Sequence, residues 1–444
     1  MDFTISPELE YLRARVARFV EREVLPVESD RTNWDEHGNI GLPALAPLRA
    51  KAKAEGLWCL QLKKETGGQG LDKTGMAVCY EEMNRSIFGP VVFNSAAPDD
   101  GNMMVLEKAA TKAQQERWLA PIVAGDVSSS FAMTEPHPGG GSDPGMMLTT
   151  ATRKGDTYVL KGRKWFITGA ADASHFITLA RTSDDPRRGL TAFLHHKDEA
   201  NWRIERRIGI MGPEEHGGHC EIVYDNMELP ADRVLLGEGL GLKLTQMRLG
   251  PARLTHCMRW LGLAKRCAEI ASDYAQNRHG FGVRLSDRES IQIKLGDLAM
   301  QIEMGRLLVM KAAWAIDQGS FAKKEVSMAK IHVANLLHKA ADVAIQINGA
   351  RGYSTDTVLE WIYRYARQAR LVDGADEVHQ MVLNRHLQDE DRGFGNGSPP
   401  RSESFFIPDR YHCMHVTELL RCQRAFGLSE EHTDDILRAI QPRR

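Results

Sequence analysis

The hydrophobic period of this chain changes twice, and that order constrains its fold more than any single motif. Up to about Ser128, apolar residues recur at helical spacing. Leu9, Leu12, Val16 and Phe19 share one face, and 42–57 and 76–85 repeat the pattern. Three glycines in 65–71 interrupt it. From about Ser129 to Leu240 the period shortens to two. The run 157–169 (TYVLKGRKWFITG) reads as two strands around a Lys161-Gly162 turn. Runs 175–181, 190–195 and 220–229 are rich in β-branched and aromatic residues, with Gly139–Gly141 and Gly217–Gly218 marking loops. From about Leu249 the helical period returns in 253–278, 290–318 and 324–348, with a shorter helix at 360–370. The predicted fold is α+β. It has an N-terminal helical domain (1–128), a middle antiparallel β-domain (129–240) and a C-terminal four-helix bundle (241–390). A linker and tail (391–444) follow, with a helix expected at 416–426.

The chain has 444 residues and is 42% hydrophobic, enough for more than one core. Its formal net charge of -2 gives no sign of nucleic-acid or anionic-membrane binding. No run approaches the roughly 20 apolar residues of a membrane span. The first residues lack the basic and apolar segments of a secretory signal. Seven scattered cysteines without a C-x-x-C favour a reducing compartment, so the expected location is the cytoplasm or an organelle matrix. No G-x-G-x-x-G after a strand, P-loop or H-E-x-x-H occurs. HGGHC (216–220) and HCMH (412–415) lack a second ligand pair at metal-site spacing, and no metal is expected.

Five segments carry chemistry. FAMTEPHPGGGSD (131–143) is a strand running into a glycine-rich loop, which lets a flat ligand approach backbone groups. In KWFITG (164–169), strict alternation puts Trp165 and Phe166 on opposite faces. RHGFG (278–282) closes a long helix. The Arg278 fork suits a phosphate, and a cation answering the helix dipole beside a glycine cap would read the same. QINGARGY (346–353) follows another long helix. The fifth, 360–380, holds Asp373-Gly374.

In this order the segments resemble the acyl-CoA dehydrogenase family over about Leu9 to Leu387. The resemblance implies FAD as cofactor. Phe131, Met133, Thr134 and Phe166 would line the flavin, and Thr168 would bond it near N5. Arg278 and Phe281, with Gln346 and Gly349, would hold the dinucleotide of a neighbouring subunit's FAD, which implies a homodimer or homotetramer. Ser142 and Arg253 would lie near substrate. The family's E-G-T-S-Q loop reads D-G-A-D-E here. This puts Asp373 at the catalytic-base position, beside Gly374 near substrate, and Ala375 and Glu377 near the cofactor. Some relatives carry their base at the position of Ala252, which cannot act as one.

An Asp base, together with GPARLTHCMR (250–259) read as a helix start, resembles a subgroup acting on 4-hydroxy- and 4-phosphohydroxyacyl-CoAs. Within it His256 reads equally as a substrate contact or a core histidine. The implied activity is α,β-dehydrogenation of an acyl-CoA in fatty-acid β-oxidation, with electrons passed to electron-transfer flavoprotein. Two alternatives stay open: a nitroalkane-oxidase-like flavin oxidase and a non-catalytic flavoprotein.

Overall fold

The computed structural model describes residues 4–391. The chain divides into two units after Leu383, and the sites below belong to the first. The linker, HCMH and the helix expected at 416–426 lie outside the described residues.

Local signals set the N-terminal helices. Helix α1 (Pro7–Phe19) starts where Ser6 accepts the Leu9 N–H at 3.2 Å and Pro7 occupies the first turn. Val16 and Phe19 are buried, as the period requires. Helices α2 (Leu42–Ala54), α3 (Lys73–Met83) and α4 (Asp99–Ala109) follow. Asp72 caps α3 through the Gly75 N–H at 2.7 Å, and α3 is buried from Gly75 to Met83.

The middle region is one sheet: β1 (Ser129–Ala132), β2 (Thr150–Lys154), β3 (Thr157–Thr168), β4 (His175–Arg181), β5 (Leu190–His196), β6 (Trp202–Arg207), β7 (His219–Pro230) and β8 (Val234–Leu235). The order is β6-β7-β3-β2-β4-β5-β8, with β1 pairing β4. Two expectations change. The sheet is not wholly antiparallel, because β1 lies parallel to β4. Lys161-Gly162 is not a turn, because β3 runs through it with a register shift after Leu160. Gly162 has φ +154, and a Cβ there would lie 2.5 Å from Thr149 Oγ1. Two strand-like runs joined by a glycine look the same in sequence whether the chain turns or runs straight through.

Helix α5 (Gly241–Asn277) has 37 residues and starts well before the expected position. The stretch 250–259 is therefore mid-helix. Pro251 removes one backbone donor, but Leu244, Thr245 and Arg248 in the first turns are already buried, so packing holds the helix through it. Gly262 lets α5 approach α3 closely, since a Cβ would stand 2.4 Å from Glu81 O. A hairpin of β9 (His279–Gly280) and β10 (Val283–Arg284) precedes α6 (Glu289–Asp317) and α7 (Lys323–Asn348). The short α8 (Ala350–Tyr353), α9 (Leu359–Ala369) and α10 (Asp376–Asp391) complete the described chain. One core joins the helices, and a second lies in the sheet around Tyr158, Phe176, Phe193 and Tyr224. Among the described residues no helix is long and apolar enough to cross a membrane.

Candidate active site

Glu135 builds the strand side. Its carboxylate accepts the Leu148 N–H at 2.6 Å, the Thr149 N–H at 2.9 Å and the Lys164 ammonium at 2.9 Å, while Lys164 also donates to Met133 O at 3.0 Å. Burial pushes Lys164 down to about 8 against the pull of Glu135. This buried pair ties both ends of the glycine-rich loop to β1 and β3, so Met133 and Thr134 hold fixed positions. Thr134 Oγ1 donates to Trp165 O at 2.7 Å, and Trp165 N–H donates to Thr134 O at 3.0 Å.

The second register shift of β3, between Lys164 and Ile167, overturns the simple alternation of Trp165 and Phe166. Phe166 takes φ +50, and its ring meets Trp165 edge-on at 5.0 Å, with 45% of the residue exposed. A bulge re-aims a side chain in this way. Beyond it, Thr168 Oγ1 lies 3.0 Å from His219 Nδ1. Ser142 is exposed on the loop.

Asp373 sits between α9 and α10 in a left-handed conformation, φ +52, followed by Gly374 at φ +103. Arg253 Nε donates to Asp373 O at 2.7 Å. Lys330, buried on α7, donates to Ala369 O at 2.8 Å and Gly374 O at 3.1 Å. His256 Nε2 is 3.3 Å from Asp373 Oδ2, and Arg248 Nη1 is 4.0 Å from Oδ1. Burial, the largest influence, pushes the Asp373 carboxyl up. The His256 contact and the charges of Arg248 and Arg253 outweigh it and hold the group well below the usual carboxylate range. Ala375 is half-buried, and Glu377 is exposed on the first turn of α10.

Arg248 joins the two sides, its guanidinium carbon standing 4.5 Å over the Phe131 ring. One helical face of α5 thus presents Arg248, Thr255, His256 and Arg259 to the interior. Arg259 pairs with buried Asp100 at 2.6 Å, and Thr255 donates to the same carboxylate at 3.0 Å. The sequence reading passed over Arg248, Arg259, Asp100 and Lys330. The signal for two of them, Arg248 and Arg259, was a polar stripe at helical spacing inside an apolar helix. A cleft of about 430 Å³ runs past these groups, lined among others by Asn94, Asp99, Glu215, His256, Arg259 and Tyr365. Burial pushes Asp99 up to about 6 despite two hydrogen bonds from Ser129.

Arg278, Phe281, Gln346 and Gly349 lie elsewhere. Arg278 follows the last residue of α5, and Phe281 is at the tip of the β9–β10 hairpin, fully exposed. Gln346 and Gly349 are exposed at the end of α7. Arg351, 5.7 Å over the Tyr274 ring, brings α8 beside the end of α5. No contact among the described residues joins these four to Asp373 or Thr168.

Three successive family models match: the N-terminal domain of acyl-CoA dehydrogenase at residues 6–126, the middle domain at 130–227 and the C-terminal domain at 239–388. The chain belongs to the acyl-CoA dehydrogenase family, whose members are FAD-dependent oxidoreductases acting on acyl-CoA. It is 36% identical over 406 residues to "Acyl-CoA dehydrogenase family member 11" of Rattus norvegicus, covering 88% of this chain and 52% of that protein. The chain thus spans about half the length of that relative. It is also 36% identical to "Probable acyl-CoA dehydrogenase FadE2" of Mycobacterium tuberculosis, covering 87% of this chain and 96% of that one. Butyryl-CoA dehydrogenase from Megasphaera elsdenii superposes with TM-score 0.77 at 28% identity, covering 87% of this chain and 100% of that chain. The residues present fit a flavin. Phe166 offers an exposed aromatic face, with the Thr168 hydroxyl two residues on and half-buried Phe131, Met133 and Thr134 on the paired segment.

Proposed function

We propose that the chain dehydrogenates an acyl-CoA thioester at its α,β carbons, with Asp373 as the base. One observation carries this reading: Arg248 bridges the Phe131 strand and the Asp373 turn, so a proton acceptor and a cofactor-type surface belong to one site. FAD, when bound against Phe131, Met133, Thr134, Phe166 and Thr168, supplies the hydride acceptor. The cations around Asp373 keep it ionised at neutral pH and ready to take the α-proton. The Asp373 N–H, which no backbone carbonyl among the described residues accepts, is available to a developing enolate oxygen. Substrate that displaces water from this shell weakens the hold of solvent on the carboxylate and makes it a stronger base.

The same shell supports an oxygen-rich acyl group, such as a 4-hydroxy- or 4-phosphohydroxyacyl chain. His256 Nδ1 and Arg259 Nη2 line the cleft, buried and without hydrogen-bond partners. An unmade bond at such a group costs about 1–3 kcal/mol, which an acyl oxygen would recover at Arg259 Nη2 and a hydroxyl proton at His256 Nδ1, the lone-pair side of a neutral ring whose Nε2–H faces Asp373. Reduced cofactor would hand electrons to electron-transfer flavoprotein, and Arg278, Phe281, Gln346 and Gly349 would meet the FAD of a second copy of the chain.

The test is anaerobic mixing of FAD-loaded protein with unsubstituted, 4-hydroxy- and 4-phosphohydroxyacyl-CoAs while flavin absorbance is followed. Bleaching is expected, fastest with the oxygenated chains. No bleaching by any thioester would remove the dehydrogenase reading and favour the oxidase alternative.

A further inference from the structure

Thr168 ends β3 and His219 opens β7, and the two face each other directly in the strand register. His219 Nδ1 is 3.0 Å from Thr168 Oγ1, while its Nε2 is 3.0 Å from Glu215 Oε2. Gln368 on α9 donates to the other Glu215 oxygen at 3.1 Å. Gly217 and Gly218, with φ +75 and +55, fold the preceding loop back so that Glu215 can reach the imidazole. Thr168 O already accepts the Ser130 hydroxyl at 2.8 Å, so strand closure does not depend on the histidine.

The consequence follows from hydrogen-bond inventory. A neutral imidazole whose Nε2–H faces Glu215 has only a lone pair at Nδ1 and consumes the Thr168 hydroxyl proton. An imidazolium donates at both nitrogens, takes a Thr168 lone pair and leaves the hydroxyl proton free. Burial alone would lower His219, but Glu215 outweighs it and the group is raised above its ordinary value; Glu214 and Arg207 are the other charges facing it.

We propose that His219 is a positioning residue for Thr168: braced by Glu215, it donates through Nδ1 to the Thr168 oxygen and keeps that hydroxyl a hydrogen-bond donor toward the FAD ring. This rests on the reading of Thr168 as a flavin contact given above. Neither Glu215 nor His219 carries out a step on the substrate in this assignment. The pair sets which way one hydroxyl faces.

The experiment uses the full chain with and without FAD. Thr168→Val and His219→Ala should each raise the FAD dissociation constant about tenfold, the upper end of what one uncharged hydrogen bond contributes. The double variant should bind no more weakly than either single one, because both remove the same interaction. His219→Asn, whose amide can still donate from the Nδ1 position, should restore most of the affinity. In FAD-free protein with labelled histidine, NMR should find His219 doubly protonated at neutral pH and Glu215→Gln should make it neutral; this arm does not depend on binding or on the stability of the alanine variant. A neutral His219 in the unaltered chain, or additive losses in the double variant, overturns the relay. Weakened binding in Thr168→Val with none in His219→Ala overturns the relay alone. Unchanged binding in Thr168→Val overturns both the relay and the flavin role of Thr168.

Discussion

Asp373 and Phe281 adopt nearly the same unusual backbone in opposite surroundings. Both have φ +52, and both precede a glycine of positive φ, Gly374 at +103 and Gly282 at +82. Around Asp373 the chain supplies Lys330, Arg253, His256 and Arg248, and the side chain is 17% exposed. Around Phe281 the one ring contact among the described residues is Arg288, 5.8 Å over the ring, and the residue is fully exposed. A left-handed Asp is tolerable because its short polar side chain bonds locally; a left-handed Phe is costly and persists only when something determines it. The chain therefore finishes its proposed chemical centre by itself and leaves the hairpin end of its proposed cofactor site open. A neighbouring subunit, as proposed above, is what would close it.

Five changes break or sharpen this contrast. The largest effect belongs to Asp373→Asn, which removes the proposed base without altering its size. Flavin reduction by acyl-CoA should slow about 10³-fold or more, with FAD retained. A normal rate would take the base away from Asp373. Next is Arg259→Met, which strands the buried Asp100 carboxylate. Urea unfolding should register a loss of about 3–5 kcal/mol, as for other broken buried pairs. Retained stability would mean that the cation shell is not structurally required.

The exposed end should respond differently. Arg278→Ala should leave unfolding unchanged but raise the FAD dissociation constant about 10- to 100-fold, measured by titrating FAD-free protein, with the oligomer followed by light scattering. Unchanged affinity would separate Arg278 from the cofactor. His256→Gln tests the shell more gently. The contact with His256 lowers Asp373, so removing it raises that carboxyl, and the acid limb of kcat/KM must move to higher pH. A limb that stays put would leave Arg248 and Arg253 as the groups that hold the charge. Phe281→Gly should have the smallest effect on the fold, within about 1 kcal/mol, because relieved strain offsets the added freedom of the unfolded chain.

Much of the fold was legible because periodicity is local. Helices α6, α7 and α9 begin and end within a residue of the expected positions, and β4 coincides with its predicted span. The early start of α5 was not legible. Pro251 looks like a boundary, and only the burial of Leu244 and Arg248 against other segments carries the helix past it. The two register shifts between β3 and β7 escaped for the same reason. A one-residue register shift leaves composition unchanged, yet it turns Phe166 outward to the face where a flavin would stand.

By itself the sequence determined the order of helical, sheet and bundle regions, the family resemblance, and the segments that carry chemistry, because each depends on residues close together in the chain. Only the tertiary structure decided which of those segments meet. It brought Arg248, Arg253 and His256 from one helix and Lys330 from a second around Asp373, laid Arg248 over Phe131 of a strand, and set His219 against Thr168. The strength of an electrostatic contact depends on distance and burial rather than on separation along the chain, so the character of Asp373 could not be read before the helices were packed.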